Sequence, residues 1–209
     1  GEGMFKDSQQ IGKDYLLTYD VDRLAVSLFR YSSNRSKAPV NMNNGYGGWE
    51  DSGENGLGGH IYGHYMSACV AMYMQTGDER LKENVERGVE LLGIAQDDDG
   101  FVAGFGRTNL DYVFNNPNNF WSGGNNDAFL QGIWAPWYTI HKILAGLLDA
   151  YQYMGIDEAL VYAEKLASYA KTGTDKLNDE QMEKMLYGEH GGINESFATL
   201  YEITGKEEY

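Results

Sequence analysis

One pattern occurs three times in this sequence: an apolar helix that ends in Tyr-x-x-x-Gly. The copies are Tyr73–Gly77, Tyr151–Gly155 and Tyr201–Gly205, and acidic residues follow each copy within two positions. The glycine can adopt the left-handed backbone that ends a helix, and acidic residues favour the positive N-terminus of the next helix. Each copy therefore predicts a helical hairpin with a tight turn.

Hydrophobic residues recur with a period near 3.6 along most of the chain, and strand signals are nearly absent. We predict an all-α fold in which residues 1–209 form the N-terminal part of one domain. The predicted helices run from about Asp7 to Tyr31, Leu57 to Gln75, after Asp78 through Leu92, Trp137 to Met154, after Gly155 through Ala167, Asp179 to Leu186 and Gly192 to Ile203, with another starting as the chain ends.

Stacked helical hairpins form either an open solenoid or a closed α/α toroid. Polar residues cluster near the starts of the helices that follow Leu57, Trp137 and Gly192. A solenoid has no need of such a cluster, whereas a toroid places its active site at one end of its inner helices. We therefore favour a toroid in which these three helices are the inner ones. The sequence contains too few hairpins to complete such a ring.

The amino-acid composition disfavours some classes of binding partner and some kinds of site. The chain carries 31 acidic and 16 basic residues, a net charge of −15, which disfavours nucleic acid and anionic membranes as partners. Cys69 is the only cysteine, so an internal disulfide or a cage of several thiolates is excluded. No apolar run approaches the roughly 20 residues of a membrane span. The sequence does not decide whether the protein is secreted, periplasmic or cytoplasmic.

The first candidate site motif is Gly47-Gly-Trp-Glu50, followed by Gly59-His-Ile-Tyr-Gly-His-Tyr65. His60 and His64 are four residues apart and share one helix face, a spacing that can bind a metal ion. The usual zinc helix has Glu after the first His, but Ile61 stands there and no third ligand is evident. Hydrogen bonding to a polar ligand and a structural pair of core histidines are the alternatives.

Two further motifs precede later inner helices. Trp134-Ala-Pro-Trp-Tyr-Thr-Ile-His-Lys142 places Trp137 and His141 near a helix start, and Gly188-Glu-His-Gly-Gly-Ile-Asn-Glu195 places Glu189 and Asn194 near another. Tryptophan and tyrosine faces suit sugar rings, and carboxylates and amides suit hydroxyl groups. The structural alternatives are that His141 is a core residue and that Asn194 caps a helix. No phosphate-binding loop, dinucleotide fingerprint or Ser/Cys nucleophile motif occurs.

Taken together, these motifs resemble the β-L-arabinofuranosidase family of glycoside hydrolases, family 127. The matching stretches are Tyr46–Glu50, Gly59–Ala68, Trp134–Ile143 with Ala145–Tyr151, and Glu189–Glu195 with Leu200-Tyr201; the opening helix, with Tyr15-Leu-Leu and Asp22-Arg-Leu24, is similar too. The stretches cover nearly the whole chain and follow the family's order.

The resemblance implies an α/α toroid of the six-hairpin glycosidase kind with appended β-domains, and hydrolysis that releases L-arabinofuranose or a related sugar from plant-type glycans. It also implies a retaining mechanism with a cysteine nucleophile on zinc, held by further cysteines and a glutamate, and a glutamate acid/base. These residues are expected beyond Tyr209, so no catalytic or metal residue is assigned in this chain. Zinc is expected only in the complete enzyme, and this chain alone is expected to be inert.

The substrate implied is a glycoside or oligosaccharide. The candidate substrate-binding residues are His64, His141, Glu189, Asn194, Trp137, Trp49 and His60. Two other readings stay open: another α/α-toroid sugar enzyme, either a lyase or an epimerase, and a non-enzymatic helical-repeat scaffold. A lyase is disfavoured because it needs a basic cleft for uronate carboxylates, whereas this chain is strongly acidic. A scaffold has no reason to gather Trp, His and Glu at helix starts.

Overall fold

A computed structural model describes residues 3–124 and 127–209, and it confirms the all-α prediction. Within these residues the helices are α1 (Met4–Leu16), α2 (Val21–Arg30), α3 (His60–Thr76), α4 (Glu79–Ala95), α5 (Thr108–Asn115), α6 (Pro136–Met154), α7 (Asp157–Thr174), α8 (Asp179–Leu186) and α9 (Ile193–Thr204). Short 3₁₀ helices span Arg35–Lys37 and Gly48–Asp51. No helix of the described residues is long and apolar enough to cross a membrane.

Three two-residue strands lie in the long segment between α5 and α6. They are β1 (Ser122–Gly123), β2 (Phe129–Leu130) and β3 (Ile133–Trp134), and they pair antiparallel in the order β1-β2-β3. Phe129 is opposite Trp134 in the register of β2 and β3. The small sheet therefore brings two aromatic residues together next to the start of α6.

The three Tyr-x-x-x-Gly segments end α3, α6 and α9 as predicted. Gly77, Gly155 and Gly205 have φ angles of 65°, 68° and 67°, so each adopts the left-handed conformation. The amide of each glycine donates to the carbonyl of the tyrosine four residues earlier, at 2.7, 3.0 and 2.7 Å. Because only glycine adopts this backbone without strain, the repeat is a helix-ending device.

The helices form two layers. Helices α3, α6 and α9 lie side by side, with α3 against α6 and α6 against α9. Helix α4 packs against α3, α7 packs against α6, and the second layer continues from α2 through α4 to α7. The helices predicted to be the inner ones therefore form one layer, and the helices that follow α3 and α6 form the other. This is the arrangement of a toroid-like helical fold.

Helices α3 and α6 approach closely because glycines lie at their contact. A β-carbon at Gly63 would overlap the backbone of Lys142, and one at Gly146 would lie 2.9 Å from the Met66 β-carbon. Such a contact leaves no room to slide one helix along the other. It therefore fixes which residues at the start of α3 face which residues at the start of α6.

Three details differ from the sequence predictions. The first predicted helix is interrupted between α1 and α2, because Thr18 bonds back to the Tyr15 carbonyl and Asp20 caps α2 through the amides of Asp22 and Arg23. Helix α5 was not predicted, since eight residues carry too short a periodic signal. The helix expected to start after Gly205 is absent from the described residues, which form a turn there.

Candidate functional site

Glu50 anchors the loop before α3 to the start of that helix. Its side chain is 6% exposed, and its carboxylate accepts hydrogen bonds from the amides of Gly59 and Ile61, both at 2.9 Å. Burial raises the pKa of Glu50, and the two amides oppose that shift. The free amides at a helix N-terminus are satisfied by this carboxylate. Glu50 is thus part of the fold, and it leaves the preceding residue, Trp49, at the surface.

His60 is buried beneath this loop. Its side chain lies among aromatic rings, with ring centroids 5.8 Å from Trp49, 5.9 Å from Tyr138 and 6.1 Å from His64. Both ring nitrogens are buried and have no hydrogen-bond partner among the described residues. Burial, with a smaller contribution from His64, lowers the pKa of His60 to about 4. His60 is therefore neutral at pH 7.

His64 and Tyr138 form a hydrogen-bonded pair between α3 and α6. The Nε2 atom of His64 lies 2.9 Å from the Tyr138 hydroxyl, and the Lys142 ammonium lies 5.1 Å from the centre of the Tyr138 ring. Burial and then the charge of Lys142 lower the pKa of His64. A neutral imidazole offers one donor and one acceptor. We call the cluster of Trp49, His60, His64, Trp134 and Tyr138 the mouth.

His141 links α6 to the start of α9. Its Nδ1 atom accepts a hydrogen bond from the amide of Gly192 at 3.2 Å, which requires that Nδ1 be unprotonated. Its Nε2 atom lies 3.7 Å from a carboxylate oxygen of Glu195. Burial and Lys142 lower the pKa of His141, and Glu195 opposes them. His141 is therefore a partnered residue that keeps its Nε2 edge toward the carboxylate.

A polar groove of about 360 Å³ runs along the three inner helices. His64 and His141 both border it, as does Glu195. Asp149 also lines the groove; burial raises the pKa of its carboxyl group, and hydrogen bonding by Ser67 opposes the shift. The lining residues are Gly63, His64, Ser67, His141, Lys142, Ala145, Leu148, Asp149, Gln152, Tyr153, Glu195, Ser196, Thr199 and Glu202.

The structure separates other candidate residues from this groove. Glu189, a predicted binding residue, does not line the groove, because its amide bonds to the Asp127 carbonyl and holds it in the loop before α9. Its charge nevertheless reaches the site: burial and then Glu189 raise the pKa of the Tyr138 hydroxyl. Asn194 and Trp137 line a different cavity, of about 300 Å³, between α7, α8 and α9. Their neighbours in sequence face the groove or the mouth instead, because consecutive helical residues point about 100° apart.

Two further residues of the site, Tyr138 and Glu195, lie inside the predicted motifs but outside the set of seven candidate binding residues. Tyr138 lies three residues before His141, which is the spacing of neighbours on one helix face. Glu195 lies two residues into α9, near the positive end of that helix. The sequence shows these spacings. Only the packing of α3 against α6 brings Tyr138 to His64, and only the packing of α6 against α9 brings Glu195 to His141.

The described residues do not form a metal site. No three His, Cys, Asp or Glu side chains gather within the ranges 3–124 and 127–209 so as to hold an ion. Cys69 is buried in α3, and burial raises the pKa of its thiol to about 11. A protonated thiol is a poor ligand and a poor nucleophile. The residues that the structure describes therefore do not fit the zinc centre that the resemblance implies.

Two layers of helical hairpins with a polar groove along one layer define an all-α, toroid-like domain. The chain matches the family model described as β-L-arabinofuranosidase, GH127 catalytic domain, over residues 1–209. The chain therefore belongs to the family of GH127 catalytic domains.

A solved structure has a similar fold: the GH127 β-L-arabinofuranosidase Ara127N from Geobacillus stearothermophilus T6, with a TM-score of 0.63 and 17% identity. The match covers 100% of this chain and 30% of that one, so the chain spans less than a third of the length of the structure it matches. No curated protein matches the chain.

Proposed function

We propose that this chain is the sugar-holding part of the catalytic domain of a glycoside hydrolase, one that releases L-arabinofuranose or a related sugar from plant-type glycans. The observation that carries the proposal is the meeting of His64 and His141 at one polar groove, although they belong to separate motifs. Membership of the GH127 family supports the reaction class. The name of the similar solved structure supports the sugar.

The groove matches the chemistry of a neutral sugar. Sugars present hydroxyl groups that both donate and accept, and each needs a partner when water is excluded. The pair of His64 and Tyr138 supplies a donor and an acceptor at one side, and the Glu195 carboxylate supplies acceptors at the other. Because the pKa values of both histidines are lowered, the neutral imidazole is favoured at pH 7, and it can hold a hydroxyl group without attracting anions.

We further propose that the bond-breaking groups come from outside this chain. A retaining hydrolase needs a nucleophile and an acid/base on either side of the anomeric carbon. Cys69 is the only thiol, and it is buried with a raised pKa. The zinc and cysteine chemistry that the resemblance implies is therefore assigned to no residue here, and we expect this chain to bind sugar without cleaving it.

A lyase is the second candidate, because the pair of His64 and Tyr138 has the residue types of a proton-abstracting base. The groove argues against it. Asp149, Glu195 and Glu202 line the groove, whereas Lys142 is the only lysine or arginine among the lining residues of the described chain. Such a surface repels the carboxylates of a uronate chain.

The two candidates differ in the sugar that binds. We expect methyl β-L-arabinofuranoside to shift the ring resonances of His64 and His141 in NMR titrations of the purified chain, and His64→Phe to abolish the shifts at His141. Tyr201→Phe, on the exposed end of α9, is the matched control and should bind like wild type. Binding of oligogalacturonate in place of the arabinofuranoside would favour the lyase and overturn the proposal.

A further inference from the structure

Three aromatic rings form a shelf beside the polar site: Trp49, Phe129 and Trp134. The rings of Trp49 and Trp134 meet nearly perpendicular, with centroids 5.9 Å apart and an interplanar angle of 74°. Trp134 stacks on Phe129 at 6.4 Å and 27°. The side chain of Trp49 nevertheless stays 60% exposed. A contiguous aromatic patch at the surface, unlike a single exposed side chain, is a mark of a binding surface.

The shelf is held in place by the backbone on both sides. The Ser52 hydroxyl donates to the Trp49 carbonyl at 2.6 Å, and the Trp134 amide donates to the Asn55 carbonyl at 2.9 Å. Glu50, the residue after Trp49, is buried and bonded to the start of α3. Because the backbone is already ordered, a ligand that stacks here meets little additional entropy cost.

The shelf lies close to the pair of His64 and Tyr138. The Trp49 ring lies 5.8 Å from the His60 ring, and the His60 ring lies 6.1 Å from the His64 ring. The exposed Trp49 and His64 rings thus flank the same buried His60 ring, which places the shelf next to the pair of His64 and Tyr138. The polar groove and the shelf therefore suit neighbouring sugars of one chain.

We propose that the shelf, with Trp49 as its principal contact, binds the second sugar ring of a glycan whose terminal furanose is held at His64 and Tyr138. This inference rests on the proposed function. The carbon–hydrogen face of a sugar is apolar and packs on an aromatic face, which is an electron-rich surface. The net charge of −15 disfavours an anionic occupant, so the sugar is neutral. The shelf makes this chain select oligosaccharides over simple glycosides.

Calorimetric titration of the purified chain tests the shelf. The probes are methyl β-L-arabinofuranoside and a β-L-arabinofuranosyl disaccharide. We expect the disaccharide to bind wild type on the order of tenfold more tightly than the monosaccharide. Trp49→Leu removes the ring but keeps an apolar side chain, and it should abolish that advantage by weakening the binding of the disaccharide far more than the binding of the monosaccharide. Trp49→Phe should keep most of it.

Phe5→Ala is the control for nonspecific apolar contact, because Phe5 is 86% exposed on α1, away from the mouth. It should leave both affinities at the wild-type values. Equal affinities of wild type for the two probes, or a full advantage in Trp49→Leu, would overturn the shelf while leaving the proposed function in place. Failure of wild type to bind either probe would overturn both.

Discussion

The contact between α3 and α6 differs sharply from the mouth above it. At the contact, which we call the stem and define by Gly63, Met66 and Gly146, the backbones nearly touch and the atoms around them are buried. At the mouth, one turn away, a tryptophan is exposed and a buried histidine has nitrogens without partners among the described residues. The difference is a division of labour: the stem fixes the geometry, and the mouth is the part that, on the proposed function, meets the sugar.

The largest loss of stability is expected in the stem, where even one added methyl group has no room. In Gly63→Ala the added methyl group overlaps the Lys142 backbone, which cannot move without displacing α6. We expect a loss in the free energy of unfolding on the order of 4 kcal/mol, measured by urea denaturation. Gly12→Ala is the control, because the new β-carbon there makes an ordinary 3.4 Å contact with a flexible methionine. Equal stabilities of the two variants would show that the stem is not tightly packed.

The next largest loss of stability is expected at Glu50, which anchors the loop before α3. Glu50→Ala leaves the amides of Gly59 and Ile61 without their acceptor in a buried place, and we expect it to cost about 2 to 3 kcal/mol. Glu50→Gln keeps one acceptor oxygen and should cost about half as much. Urea denaturation measures the free energy of unfolding of these variants, with Glu83→Ala on the exposed face of α4 as the reference. A Glu50→Ala variant as stable as that reference would mean that Glu50 does not hold the loop.

His60 should make stability depend on pH. Its folded pKa, about 4, lies below its unfolded value near 6.5, so the unfolded state takes up a proton first as the pH falls. Stability from this group is complete above pH 6.5 and is lost progressively toward pH 4. We expect wild type to lose about 2 kcal/mol more than His60→Gln between pH 7 and pH 5. Parallel pH profiles of the two proteins would contradict the burial of a neutral His60.

The smallest loss of stability is expected for Tyr138→Phe, which should nevertheless weaken the binding of the sugar. Tyr138→Phe removes only the hydroxyl that pairs with His64. We expect its melting temperature to stay close to that of wild type, whereas its affinity for methyl β-L-arabinofuranoside should fall on the order of tenfold. A variant that binds normally, with or without a change in melting temperature, would remove the pair from the binding site.

Local chemistry explains what could be predicted from the sequence. The Tyr-x-x-x-Gly segments predicted three helix ends correctly, because a glycine C-cap depends on a few neighbouring residues. The span Asp179–Leu186 was also predicted correctly as α8, where Asn178 and Gln181 form a capping box. The break between α1 and α2 was missed, since the apolar period continues through it while Thr18 and Asp20 compete for the backbone.

The site was harder to predict because it depends on the direction of side chains in three dimensions. The parallel packing of inner helices brings His64 and His141 to one groove, as the repeat suggested. On each helix, however, a shift of one residue turns a side chain away, and so Trp137 faces another cavity while Tyr138 reaches His64. The role of Glu50 as a cap was equally hidden, because its partners lie nine and eleven residues away.

The most direct test of the account is an assay of the purified chain with an aryl β-L-arabinofuranoside, with and without added zinc, alongside a titration of the same preparation with methyl β-L-arabinofuranoside. The account predicts saturable binding of the methyl glycoside and no release of the aryl group under either condition, because this chain holds the sugar and the bond-breaking groups lie elsewhere. Release of the aryl group that disappears in Cys69→Ser would contradict it, since the chemistry would then belong to the one thiol that the structure places in the core.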